Sequence, residues 1–579
     1  MAVFEKKVQA KLLLDDSESL TATVENAQKT SDHIEYILRV QRGPMKENSW
    51  QLTKRYSDFD NLESQLRISN IEFRLPPKKV FGNFDREFIA IRQSGLQEFL
   101  QSVLSNHLLS ESIFVKRFLD PKSYSTNLSE VALQHVSMIF RSEPKWEVIE
   151  PLHDIGTRIR KSYIMVKPLA QPKLKQILSW SDFGPDQYIP EKELTALMAL
   201  LQTIQHPFIL APLFATSNEN GGLVITDFYE KGTLRDHLCK CKAKGHFLKK
   251  YANPKVLCPL DMSAIKVYGK QILETLKFLQ DKHIPHGHLH AGNIILSDNK
   301  CYLTDIHNTL LGLPSYYRPF YAQYKKIQTV ELIDVYCFGQ LLYEMTFGCP
   351  LNAPSCDIFP PECPAQIRSV LESILTTEAC KNGIPSISDL FLHPLFADVG
   401  QQVVDKPVLK IPHKLKDVLK MAKTQFEQRL HEEQKLISKI KRLSKAKQFH
   451  MSEEEKKKRR KSRKKAALEN GDDPTSPTSP TSPTSPMSPQ SPTSPSVPAP
   501  PASSPPGTAG PAAPAAPPPP PSPAAPAPPP PPPAAPMRSV SAPAGAQTEG
   551  RGALLSSISS FSKGGLKKAT TVDKSGPKI

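Results

Sequence analysis

His286-Gly287-His288-Leu289-His290-Ala291-Gly292-Asn293, then Ile-Ile-Leu at 294–296 and Asp305 nine residues further on, is the stretch from which the fold is read. Around it, residues 140–400 alternate in a definite way. Strand-like SYIMVKP (162–168) precedes a helix pattern, EKELTALMALLQTI (191–204), and LVITDFY (223–229) is strand-like again. From about residue 262 helical patterns dominate. The expectation is a small sheet followed by a larger helical part, with the histidine-rich loop between them. His283, His286, His288 and His290 invite a metal reading, but no thiolate pairs with them and no structural metal site is expected.

The rest of the 579 residues divides by charge and by proline. Residues 1–400 are near neutral, whereas residues 401–470 hold 22 Lys and Arg against 9 Asp and Glu, most of the net +17. Of the 57 prolines, 29 lie in 474–536. Some 400 ordinary residues able to build cores are therefore followed by a basic segment and one that cannot pack. No run of 18 apolar residues exists, and MAVFEKKVQAKLLLDD (1–16) lacks the apolar core of a signal peptide. The nine cysteines fall between Cys239 and Cys380 without a C-x-x-C pair, which points to a reducing, cytoplasmic setting. Any membrane contact is then peripheral.

The histidine-rich loop resembles the catalytic loop of protein kinases, with Asp305-Ile306-His307 in place of their D-F-G. HPFIL (206–210), DVYCFG (334–339) with LLYEMTFG (341–348), and HPLF (393–396) match further family landmarks, so a bilobal α+β kinase-like domain is expected over 140–398. The resemblance implies departures in the chemistry. His288 occupies the position of the base carboxylate, and Gly287 that of the preceding arginine. HDIGTRIRKSY (153–163) keeps only Gly156 of the glycine-rich loop, and no A-P-E follows. Lys167 stands where the nucleotide lysine is expected. Its helix partner is displaced: Leu197 falls at the glutamate position and Glu193 one turn earlier. Asn293 and Asp305 keep the metal positions. The expectation is a pseudokinase with no required cofactor, for which Lys167, Asn293 and Asp305 leave ATP and Mg²⁺ as candidates. The alternative is an active, atypical membrane-targeted Ser/Thr kinase.

Before this domain, LTATVEN (20–26), EYILRVQRG (35–43) and SWQLTKRY (49–56) read as strands. SDFDNLESQL (57–66) reads as a helix capped by Ser57, and a second helix is expected from Asp85 to Leu104 with Phe88, Ile91, Leu96, Phe99 and Leu100 on one stripe. Arg55-Tyr56-Ser57-Asp58-Phe59, Leu75-Pro76-Pro77-Lys78-Lys79 and Arg92 resemble, in order, the three signatures of phox-homology (PX) domains. A PX domain is thus expected over 10–125. The resemblance implies a phosphatidylinositol 3-phosphate site, in which Arg55 holds the 3-phosphate and Tyr56 lies under the inositol ring. Lys79 (or Lys78) meets another phosphate, and Arg92 the ring hydroxyls. A guanidinium suits phosphate because its planar fork binds two oxygens at once.

Residues 412–468 contain no proline and read as one long helix. Leu415, Leu419, Ala422, Phe426, Leu430, Ile437 and Ile440 suit either an amphipathic helix folded back on the preceding domain or a coiled coil whose heptad lapses near Glu433. It ends in Lys456–Lys465, nine basic residues in ten. That run reads as a solvated face, a nuclear import signal or, favoured beside a lipid-reading domain, a foothold on anionic membrane. It lacks the interleaved aromatics of nucleic-acid binding, so no nucleic-acid partner is expected. Residues 474–536 repeat T-S-P and then Pro/Ala, a composition for an extended, disordered linker that proline-directed kinases can reach. GRGALLSSISSFSKGGLKKATT (550–571) resembles a WASP-homology-2 motif, expected over 548–571. Leu554, Leu555 and Ile558 make a short apolar helix face, and Leu566-Lys567-Lys568 the basic element after it. The resemblance implies monomeric actin as partner, with profilin or Src-homology-3 proteins on the proline tract. In this order the segments resemble one family uniting all three modules, which implies Na,K-ATPase subunits as partners although no residue here shows it. The whole is expected to be a peripheral-membrane scaffold of endosome or plasma membrane.

Overall fold

A computed structural model describes residues 14–78, 84–397, 399–400 and 407–469. Lys79, the proline tract and the actin-like motif with Leu554, Leu555, Ile558, Leu566, Lys567 and Lys568 lie outside the described residues.

The first module is built on an antiparallel sheet of β1 (Leu20–Lys29), β2 (Ile34–Arg42) and β3 (Ser49–Arg55) in chain order. Leu20, Ala22 and Val24 alternate inward with Ile34, Tyr36, Leu38 and Val40. Against that face pack α1 (Tyr56–Leu66), α2 (Arg86–Ser105), α3 (His107–Ser110) and α4 (Ile113–Leu119), and Phe59, Leu62, Leu96, Phe99 and Leu119 close the core. Two local expectations are corrected. The cap of α1 is Arg55, not Ser57: its N–H donates to the Asp58 carboxylate at 2.9 Å. On α2, Ile91 is 63 % exposed and Arg92, at 6 %, is the residue turned inward. Leu96, Phe99 and Leu100 of the expected stripe are buried together with Val103, and Arg92 takes the inward place expected of Ile91.

After α5 (Leu128–Ser142) comes a five-stranded antiparallel sheet. Its strands are β4 (Trp146–Leu152), β5 (Lys161–Pro168), β6 (Gln176–Asp182), β7 (Phe214–Ser217) and β8 (Gly221–Asp227), in the order β4-β5-β6-β8-β7. α5 covers one face through Ala132 and Val136, packed on Ile164, Leu178, Trp180 and Leu223. α6 (Glu191–Leu201) crosses between β6 and β7. The helical lobe follows, with α7 (Leu234–Leu238), α8 (Phe247–Tyr251), α9 (Met262–Asp281) and the hairpin β9 (Ile294–Ser297) and β10 (Lys300–Leu303) below the sheet. The helix Val330–Phe347 is buried on all sides.

The long helix His413–Glu469 lays Leu415, Leu419, Ala422, Phe426 and Leu430 on the helical lobe. Near the expected lapse, Gln434 is buried and its amide donates to Tyr324 O (2.9 Å) and Ile327 O (2.8 Å). The helix thus folds back over its first half rather than pairing as a coiled coil there.

The PX-like and kinase-like modules pack on each other. Phe247 and Leu248 of α8, the helix that follows α7, join the core of the first module. Arg429 of the long helix and Arg318 meet at Asp186, 2.6 and 2.8 Å away, and Arg429 also reaches Asp15 at 2.9 Å. The ring of His107 on α3 lies 5.1 Å from that of Tyr316, covering the segment that follows Asp305.

Candidate functional site

In the first module, Arg55, Tyr56, Lys78 and Arg92 line one cavity with Tyr36, His33 and Phe84. The end of β3 and the start of α1 place Arg55 and Tyr56 side by side. The proline loop reaches them because α2 has Gly95 at the crossing, where a Cβ would sit 2.6 Å from Pro76. Arg55 is 62 % exposed, with Asp58 only at 4.0 Å. Arg92 is held differently. Its guanidinium lies 4.4 Å from the Tyr56 ring centre and 4.2 Å from that of Phe88, one amino group donates to Pro77 O at 3.1 Å, and among the described residues Nε has no hydrogen-bond partner. A buried donor left open beside a cavity suits an oxygen-rich ligand. Lys78 stands 2.8 Å from Asp60 on the same rim. No sequence pattern singles out His33, which contacts Asp32 at 2.6 Å and Glu35 at 3.3 Å. The hydrogen bond to Asp32, then that to Glu35, raises its pKa. A lone turn histidine has no spacing by which to be found.

In the second module a cleft opens between sheet and helical lobe. Ile155, Ile177, Val224 and Ile295 are its apolar walls, and Thr226–Tyr229 its back. Together with its open mouth the space amounts to about 1210 Å³. The expected role of Lys167 is not met. Lys167 pairs with Glu147 at 3.1 Å, at the far end of β5 from the cleft. The third strand of the sheet, where kinases keep their lysine, is β6, and it turns Ile177 and Ser179 to the cleft. The ammonium that reaches Asp305 belongs to Lys161, six residues earlier on β5 and about 20 Å along the strand. Lys161 is 2.8 Å from Asp305 and 3.2 Å from Asn308 Oδ1. The signal was the cluster Arg158-Ile159-Arg160-Lys161 in a loop that should be glycine-rich. Glu193 does not face the cleft either: it pairs with Lys414 of the long helix at 2.8 Å. Leu197 is buried core.

The loop from His286 to Asn293 is fixed by Asp334, which accepts from Gly287 N at 2.8 Å and contacts His286 Nδ1 at 3.0 Å. Gly287 has φ +69°, a conformation that favours glycine over the family's arginine. His288 is buried. Burial first, then Arg158 and the neighbouring histidines, holds its pKa well below the ordinary value, so the ring is neutral. Its Nδ1 lies 3.0 Å from the Arg158 guanidinium. Asn293 donates to His288 O at 2.6 Å and accepts from His290 N at 3.0 Å. Burial would raise the carboxyl of Asp305, but Lys161, His307 and Arg158 outweigh it and hold it below the usual range. The cleft therefore offers a neutral imidazole where a base carboxylate is needed, and a carboxylate already claimed by an ammonium.

Residues 43–122 match the PX domain family, residues 186–310 the protein tyrosine and serine/threonine kinase family, and residues 547–576 the WH2 motif. The chain is 53 % identical over 446 residues to the PX domain-containing protein kinase-like protein of Mus musculus, covering 77 % of each. It is 30 % identical to the Slowpoke-binding protein of Drosophila melanogaster over 45 % of this chain and 54 % of that one. It is also 30 % identical to the probable inactive serine/threonine-protein kinase slob1 of Dictyostelium discoideum, over 47 % and 51 %.

Proposed function

Because the chain belongs to the family of PX domain-containing protein kinase-like proteins, we propose that it is a peripheral-membrane scaffold. It binds phosphoinositide through the PX pocket, monomeric actin through the C-terminal motif, and protein partners through a kinase-like lobe that transfers no phosphate. The observation that carries the reading is the convergence of Arg55, Tyr56, Lys78 and Arg92 on one cavity, with Arg92 Nε unpartnered among the described residues. In that cavity Arg55 takes the 3-phosphate, its exposure leaving both fork nitrogens free for oxygen. Tyr56 floors the inositol ring, Arg92 donates to ring hydroxyls, and Lys78 or Lys79 meets a further phosphate.

Ser179 in the lysine strand, Lys161 on Asp305 and a neutral His288 support the non-transferring lobe, since positioning and charge supply nearly all phosphoryl-transfer catalysis. The covering of the segment after Asp305 by α3 supports it as well, because peptide substrates would have to enter there. A protein partner for the lobe is in keeping with the name of the Drosophila relative, Slowpoke-binding protein. Na,K-ATPase subunits enter as partners by family resemblance, and profilin or Src-homology-3 proteins through the proline tract. Among the described residues no helix is long and apolar enough to cross a membrane. The lipid reading directs the protein to endosome or plasma membrane.

Vesicle sedimentation tests the lipid arm. The full chain should pellet with vesicles containing phosphatidylinositol 3-phosphate and not with neutral vesicles, and Arg55→Ala should abolish the difference. Equal pelleting by Arg55→Ala would put the basic helix or a partner in charge of location.

A further inference from the structure

Arg158, in the loop between β4 and β5, brings into the cleft a charge that no ion pair balances. Its guanidinium donates to neutral acceptors, Pro314 O at 2.6 Å and His288 Nδ1 at 3.0 Å. Among the described residues it makes no ion pair, and Asp305 acts on it only at longer range. The other cations of the cleft are balanced: Lys161 lies 2.8 Å from Asp305, Arg235 2.7 Å from Glu344 and Lys250 2.9 Å from Asp236. A guanidinium has five N–H donors, so these two contacts leave several for a ligand. A cation withdrawn from water without a counter-charge is costly, and burial does press the pKa of Arg158 downward.

A divalent cation fits the same cleft poorly. Mg²⁺ bound with nucleotide phosphates takes hard oxygens, usually one or two carboxylates. Asp305 would have to leave the buried Lys161 ammonium, and the Asn293 oxygen already takes the His290 N–H at 3.0 Å. The base position, a carboxylate in active kinases, is a neutral imidazole. The family's metal therefore does not fit the residues present.

We infer that the cleft takes a phosphate ester bearing a planar ring, of the nucleoside phosphate class, without a divalent cation, and that Arg158 supplies the positive charge a metal would bring. The ring lies between the apolar walls Ile177 and Ile295, and the phosphates turn toward the loop that holds Arg158. The inference goes beyond the scaffold reading, which needs no ligand in this cleft.

Thermal unfolding of the full chain tests it, with ATP, adenosine and tripolyphosphate each added in EDTA and in Mg²⁺. ATP should raise the melting temperature as much in EDTA as in Mg²⁺, and more than adenosine or tripolyphosphate. Arg158→Gln should raise the ATP dissociation constant roughly ten- to hundredfold, the loss of one charge-assisted contact. Arg158→Lys should keep a weakened, metal-independent shift, and Lys167→Gln the full one. A shift that needs Mg²⁺, no ATP shift in EDTA, or an undiminished shift in Arg158→Gln overturns the inference. Tripolyphosphate matching ATP overturns its ring half. Arg158→Gln should still pellet with phosphoinositide vesicles, so failure here is separate from failure of the lipid reading.

Discussion

Arg55 and Arg92 share a cavity but are held in opposite ways, and their substitutions should differ accordingly. Arg55 is exposed and contributes little to folding. Arg55→Ala should weaken binding to phosphatidylinositol 3-phosphate vesicles by about 10- to 100-fold, one charged hydrogen-bonded contact, with an unchanged urea midpoint. Arg92 is packed between Tyr56 and Phe88, so Arg92→Ala should lower both affinity and midpoint. The two lysines of β5 make a second contrast. Lys161→Met leaves the part-buried Asp305 carboxylate without its ammonium and should cost about 1.5–3 kcal/mol by urea unfolding. Lys167→Met breaks a surface pair and should stay within about 1 kcal/mol. Here the limit of the sequence is plain. Arg55, Tyr56, Asn293 and Asp305 were legible because short spellings surround them. Lys167 was misassigned because Val166-Lys167-Pro168 has the right spelling in the wrong strand, and which strand is third in a sheet is not a local property.

α8, five residues long, ties the two modules together by placing Phe247 and Leu248 in the core of the first. Phe247 and Leu248 give no periodic signal, and the core they complete lies more than 120 residues earlier in the chain, so nothing local announces them. Each is fully buried, and truncation to Ala should cost about 2–5 kcal/mol. The double variant Phe247→Ala with Leu248→Ala should separate one calorimetric transition into two, as the PX domain lets go of the kinase-like lobe. A single unchanged transition would mean that the pairs Asp15–Arg429 (2.9 Å) and Asp16–Arg160 (2.8 Å) hold the modules together without α8. The long helix shows the reverse: its apolar face was readable from spacing, because Leu415, Leu419, Ala422, Phe426 and Leu430 recur along one side. The identity of the surface receiving that face was not, since Asp186 and Arg318 become neighbours only in the fold.

Across the whole molecule, buried histidines couple stability to pH. Burial holds His107 and His206 at about 4 and His307 at about 3, with nearby cations adding to the effect at His107 and His307. An unfolded histidine titrates near 6.5, so below that pH the unfolded chain binds protons that the folded one refuses. Stability should thus be full above about pH 6.5 and fall as pH drops toward 4. Asp15 and Asp305, depressed in the fold by Arg318 and Lys161, add a loss of the same sign below about pH 4. Urea midpoints at pH 7.5, 6 and 5 check this, and a flat series would contradict it. The scaffold itself is tested most directly by flotation of vesicles containing phosphatidylinositol 3-phosphate with labelled monomeric actin and the full chain. Actin should float only when both the chain and the lipid are present. Arg55→Ala should leave chain and actin at the bottom, while Leu554→Ala with Leu555→Ala should float without actin. Actin that stays at the bottom with the parent chain, or that floats equally on neutral vesicles, would contradict a bridge between phosphoinositide membrane and actin.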